Sequence, residues 1–316
     1  MDWKRFYRRE LESPRGKRLV ERLFCELRGG DHVLLQAIRS RGIISFPHTA
    51  LGYSGPLIMR TVVSLLRTTG LQRVVALGVL HMGTLPEPYA GFYGSGGSGW
   101  ERLAGGFVPV RPTLTTPFGE VSLAGGGVPP PVQEDRGILG NEFSLDTFLA
   151  MYAYAAGRLG MDPPPVLPVY VGLTRDPDSG SFAVAGELAR ALSDWLGSGT
   201  ALVTTGDVVH YGRPYGDDPA SDELPRDVPG LTRHFRTLLV RALELALGER
   251  DYAGAYRVLG DLKSDQRHVL PVIAELLGPG AGFRVHDFSL SDYAPIFRVA
   301  PPCLVASTLI TYMPSG

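Results

Sequence analysis

Four polar residues follow the ends of short β-type runs, and their types suit metal or acid–base chemistry. GIISF (42–46) is followed by Pro47 and His48, RVVALGVL (73–80) by His81, and ALVTTG (201–206) by Asp207, with His210 three residues further on. A neutral imidazole offers a ring nitrogen to a metal or moves a proton near neutral pH. Two histidines and one carboxylate on one face of an ion leave open positions, as in non-haem iron oxygenases, and zinc, manganese or nickel accept the same donors. Asp207, Asp265 and Glu142 all lie in loops or at element starts from which a carboxylate can complete such a set. Cys303 offers a thiolate, but from inside an apolar strand-like run, where a buried structural cysteine is expected. Taken singly, any of these histidines is more commonly a hydrogen-bonded structural residue, and Asp207 alone could cap a turn. His32, His234 and His286 have nothing near them that raises them above that reading.

The elements between these residues supply the means of bringing them together. Helical patterns at 56–70, 144–160, 182–197 and 231–248 alternate with the β-type runs and with PVLPVYVGL (165–173). Alternation of this kind predicts a single α/β domain with a largely parallel or mixed central sheet covered by helices on both faces. In such a sheet, ligands bind beyond the carboxyl ends of the strands, where groups distant in sequence meet. Residues 1–40 read as one or two amphipathic helices packed on the domain, broken at Gly29–Gly30. The runs APIFRVA (294–300) and CLVASTLITY (303–312) are expected to pair as a hairpin at the sheet edge. Residues 84–131 are too rich in Gly and Pro to be expected as a core element; a surface loop and a lid over the cleft are equally good readings.

Bulk properties narrow the function. Hydrophobic residues at 44% and charged residues at 20% describe an ordinary globular chain long enough for one large domain. A net charge of −1 gives no long-range field for nucleic acid or an anionic membrane, so neither is an expected partner. Lys4, Arg5, Arg8, Arg9, Arg15, Lys17 and Arg18 make the start locally basic, but Glu10, Glu12 and Glu21 interleave, as on a solvated helix. Two cysteines fit a reducing compartment, no apolar run reaches the roughly 18–20 residues of a spanning helix, and the N-terminus lacks a signal pattern. The expected location is therefore the cytoplasm. Walker A, CxxC, H-E-x-x-H and G-x-S-x-G patterns are absent, and GSGGSG (94–99) lacks the flanking strand and helix of a dinucleotide fingerprint.

FPHTALGYSGP (46–56), ALGVLHMG (76–83), TTPFGEVSL (115–123), NEFSLD (141–146), LPVYVG (167–172), TTGDVVHYG (204–212) and SDQRHVLPVI (264–273) resemble, in order, motifs of the Memo family. That family includes the protein B-like members of the AmmeMemoRadiSam system, and its fold is similar to that of class III extradiol dioxygenases. The resemblance implies that His48 and His81 are metal ligands, that Asp207 and His210 are a pocket pair, with His210 as acid/base oriented by Asp207, and that Tyr53 hydrogen-bonds substrate or oxygen. Arg267 and His268 match the Arg-His beside the family's cysteine, and that register places Asp265 at the cysteine position. Met82 and Phe143 stand where the family has histidines, and residues 84–112 look like an insertion.

A carboxylate in place of a thiolate shifts metal preference from soft ions such as copper toward iron or manganese. The expectation is a divalent metal, Fe(II) above zinc, copper or manganese, held by His48, His81 and Asp265 and serving extradiol-type cleavage of a catechol- or aminophenol-like small molecule. A non-catalytic or redox metal protein and a metal-dependent hydrolase or lyase are the alternatives. The sequence leaves an oligomer possible.

Overall fold

The structure is a computed structural model that describes residues 1–94, 99–125, 127 and 129–315, with the backbone only at 92–94. In chain order the elements are α1 (Trp3–Glu12), α2 (Pro14–Leu27), α3 (His32–Arg39), β1 (Ile43–Phe46), α4 (Leu51–Arg67), β2 (Arg73–Val79), α5 (Tyr89–Gly94), β3 (Gly106–Val108), β4 (Thr113–Thr116), β5 (Gly119–Ser122) and β6 (Val132–Glu134). There follow α6 (Asp146–Leu159), β7 (Val166–Val171), α7 (Ala183–Ser193), β8 (Thr200–Thr205), β9 (His210–Gly212), α8 (Val228–Leu243), α9 (Tyr252–Asp261), α10 (Val269–Leu277), β10 (Gly282–Asp292), α11 (Ala294–Phe297) and β11 (Cys303–Met313). Side-chain caps start several helices: Asp2, Ser13, Asp31, Asp227 and Asp251 each accept from a backbone N–H of the following first turn.

A mixed sheet runs in the order β10-β11-β1-β8-β2-β7-β3-β6, with β9 added on β11. At its centre β1, β8, β2 and β7 are mutually parallel. Their residues alternate between two apolar cores. Ile44, Phe46, Val74, Ala76, Val203 and Tyr170 face α2, α3, α4 and α6. Ile43, Val75, Leu77, Leu202 and Val169 face α7 to α10. Burial on both faces is why these runs are apolar throughout, without polar alternation. Among the described residues no helix is long and apolar enough to cross a membrane.

Two expectations about the periphery do not hold. Residues 294–297 form α11, and Asp292 accepts the Ala294 N–H at its start at 2.8 Å. The partner of β11 is instead β10, and β11 lies inside the sheet between β10 and β1. Within 84–131, β3 is buried and joins the sheet between β7 and β6. Gly105 makes this possible: at φ +88 its missing Cβ would lie 2.2 Å from the Pro131 carbonyl oxygen. Residues 95–98, 126 and 128 of that segment lie outside the described residues.

Candidate metal centre

The four central strands are parallel, so their C-termini open on one side of the sheet. His48, His81 and Asp207 each stand two residues beyond a strand end, those of β1, β2 and β8. His210 begins β9, and Asp265 lies in the 3-10 turn (Asp265–Arg267) between α9 and α10. The turn is tied to β8: the Asp207 carbonyl accepts the Asp265 N–H at 3.0 Å. Gly206 lets it come close, because a Cβ there would meet Gln266 Cγ at 2.6 Å.

Three imidazoles point at one oxygen. Oδ2 of Asp265 is 3.3 Å from His48 Nε2, 3.8 Å from His81 Nε2 and 3.9 Å from His210 Nε2. It is buried and has no hydrogen-bond partner among the described residues. Each ring is fixed from behind through Nδ1. His81 Nδ1 faces Glu142 Oε1 at 3.1 Å, His210 Nδ1 faces the Lys263 carbonyl at 2.8 Å, and His48 Nδ1 faces Thr205 Oγ1 at 3.2 Å. A carboxylate and a carbonyl only accept, so His81 and His210 each carry a proton on Nδ1 and turn Nε2 toward Asp265. Imidazole nitrogens gathered on a carboxylate oxygen share a cation with it, either a proton on the ring or a metal ion that displaces it. Donors each about 2.1 Å from one tetrahedral ion stand roughly 3.4 Å apart, close to the separations seen. The residues fit a divalent metal held by His48, His81 and Asp265, with Asp207, His210 and Asp265 forming an overlapping second set.

The electrostatics follow from burial and proximity. Burial disfavours the charged form of His81, but the Glu142 carboxylate, with Asp265, outweighs it and raises the His81 pKa well above its ordinary value. Glu142 is itself desolvated, yet the His81 charge and backbone N–H groups draw its pKa down to about 2. Desolvation would raise Asp265, but the His210, His48 and His81 rings hold it well below the usual carboxylate range. Desolvation raises Asp207.

A cavity of about 490 Å³ opens over this cluster. Phe143 stacks on the His81 ring with centroids 4.4 Å apart, and the wall continues through Tyr7 to Trp3 on α1. Lys263, Arg267 and His268 add polar edges. His268 Nδ1 accepts the Thr174 N–H, and burial with neighbouring arginines lowers its pKa to about 3, so its ring is neutral.

The structure brings some of the expected site residues together and places others elsewhere. His48, His81, Asp265, Asp207 and His210 come together. Tyr53 does not join them: it is 39% exposed, its hydroxyl donates to the Asp292 carbonyl, and it does not line the cavity. Tyr293 and Tyr7 occupy that side instead. Asp207, expected to orient His210, accepts the His48 backbone N–H at 3.1 Å, while His210 is oriented by Lys263. Glu142 buttresses His81. Cys303 is buried in β11, its thiol pushed up to about 11 by burial, and belongs to neither ligand set. Of the described residues in 84–131 only Thr84 lines the cavity, so the covering wall comes from α1. Trp3 and Tyr7 carried no signal in the sequence beyond helical spacing.

No family profile matches the chain, and no curated protein does. Among solved structures it is similar to an uncharacterized protein, JW3007, from Escherichia coli K12, at 14% identity and a TM-score of 0.45, over 86% of this chain and 99% of that one.

Proposed function

We propose that the chain is a Memo-like metal protein, related to class III extradiol dioxygenases, that binds Fe(II) through His48, His81 and Asp265 and cleaves a catechol- or aminophenol-like small molecule in the cytoplasm. The observation that carries the reading is the meeting of three Nε2 atoms on one buried, otherwise unpartnered carboxylate oxygen. The ordered motifs from FPHTALGYSGP to SDQRHVLPVI support the family assignment. The chemistry supplied by a bound ferrous ion is acidification of a ring hydroxyl and redox activation of dioxygen. The rest falls to the protein's own groups. His210, its proton held on Nδ1 by Lys263, presents a free Nε2 that takes the second hydroxyl proton. Phe143, Tyr7 and Trp3 give the aromatic ring an apolar wall and exclude water.

The test is anaerobic purification, loading with ferrous iron, and addition of catechols and 2-aminophenol with dioxygen. Ring-opened products absorb in the visible, and their appearance is the expected result. One equivalent of bound iron with no product across a broad panel sinks the dioxygenase reading.

One observation favours a second reading. His210 Nε2 lies as near Asp265 Oδ2 as His81 Nε2 does, within 0.1 Å. If His210 also binds the ion, four protein ligands close the site, as in structural or storage centres. That version predicts tight metal binding without turnover.

A further inference from the structure

A second cavity, of about 430 Å³, lies on a different face of α1, between that helix, the β4–β5 hairpin and the start of α6. Lys4, Arg5 and Arg8 line it from α1 and Arg111 lines it from the stretch leading into β4. These cations are poorly neutralised. Arg5 and Arg111 make no ion pair among the described residues. Lys4 donates to the Gly140 carbonyl at 3.0 Å, and Arg8 is paired with exposed Glu12 at 2.9 Å.

Two carboxylates also reach the cavity. Asp2 is committed as the α1 N-cap, accepting the Arg5 N–H at 2.9 Å. Asp146 makes no side-chain hydrogen bond among the described residues, and burial, against the pull of Lys4 and Arg111, raises its pKa to about 7. The cavity thus holds an excess of positive charge over negative.

We propose that this cavity binds a phosphorylated small molecule, its phosphate between the α1 cations and Arg111 and its organic part against Leu11, Leu114 and Pro117. Guanidinium forks approaching from two walls suit the several oxygens of a phosphate. The unneutralised cations call for a dianion, which a phosphate monoester is and a single carboxylate is not. The volume lies in the range of small-molecule sites and exceeds what inorganic phosphate fills, while buried Leu11 supplies an apolar floor. The basic stretch that reads as a solvated helix from sequence is in part the wall of a site.

The test is isothermal titration of the full-length, metal-loaded protein with phenyl phosphate, inorganic phosphate and benzoate. One saturable site is expected for phenyl phosphate, tighter than for inorganic phosphate, with benzoate weaker by about tenfold or more. The double variant Arg5→Gln/Arg111→Gln should lose about tenfold or more in phenyl phosphate affinity. Arg9→Gln, on the same helix but outside the cavity, should not change it, and chelator-stripped protein should still bind. Binding lost on chelation assigns the phosphate to the metal centre and overturns the proposal. So do absence of saturable binding, equal affinity for benzoate, and phosphate binding that ignores both the organic group and the double variant, which means an adventitious ion only.

Discussion

Glu142 grips His81 at two points: Oε2 accepts its backbone N–H at 2.7 Å, and Oε1 lies 3.1 Å from Nδ1 of its ring. The backbone N–H groups of Phe143 and Ser144 donate to Oε1 at 2.7 and 2.8 Å and fix the carboxylate in turn. The ring cannot rotate without breaking this set, so Nε2 stays aimed at Asp265. Glu142→Gln keeps the shape but weakens the hold on the ring. Metal affinity is expected to fall roughly ten- to hundredfold, the usual scale for losing an orienting partner, in competition titrations against a chelating dye. Unchanged affinity would remove Glu142 from the centre.

Asp265 is the shared member of both candidate ligand sets. Asp265→Asn should lower the metal content of purified protein well below one equivalent by elemental analysis, with the fold intact by circular dichroism. Asp207→Asn should keep more of it. The reverse order would transfer the ligand role to Asp207, which also comes within 3.9 Å of His48 Nε2.

His210 separates the two functional readings. As the base, His210→Gln keeps its metal and loses about a hundredfold or more in ring-opening rate. As a fourth ligand, it loses metal in parallel. Measuring metal content and turnover on one preparation distinguishes these outcomes.

Metal affinity should depend on pH with a defined sign. The raised pKa of His81 means that its imidazole holds a proton to higher pH than an ordinary histidine. A metal must displace that proton, so apparent affinity rises with pH, by up to about tenfold per unit, and flattens once the pH passes the raised pKa. Glu142→Gln removes the main cause of the shift and should move the flat region to lower pH. Affinity that does not change between pH 6 and 8 would exclude proton displacement from His81.

Tyr53 tests the limits of the resemblance. Its hydroxyl is spent on the Asp292 carbonyl at 3.1 Å, outside the cavity. Tyr53→Phe should leave metal content and turnover unchanged and cost about 1 kcal/mol or less in denaturant unfolding. A fall in turnover with metal retained would show that the side chain reaches substrate.

The parts of the fold legible in the sequence are those set by local pattern. GIISF, RVVALGVL, PVLPVYVGL and ALVTTG are continuous apolar runs, and they form the parallel strands buried on both faces. The apolar runs at 56–70, 144–160 and 231–248 fall largely within α4, α6 and α8. β3 was hidden, because GFV is short and its place depends on Gly105 meeting Pro131. APIF suits a strand as well as a helix by its apolar content, and its single helical turn starts where Asp292 accepts the Ala294 N–H.

By itself the sequence determined that His48, His81 and Asp207 follow strand ends, since parallel strands of similar length bring such positions to one edge of a sheet. Only the tertiary structure decided where each side chain sits there and what holds it. Asp265 reaches the three rings because α9 and α10 pack so that their turn lies against Gly206, a contact spanning about sixty residues of chain. Glu142 becomes the brace of His81, Lys263 that of His210, and α1 the cavity's wall, because long-range packing joins segments whose local patterns carry no record of one another.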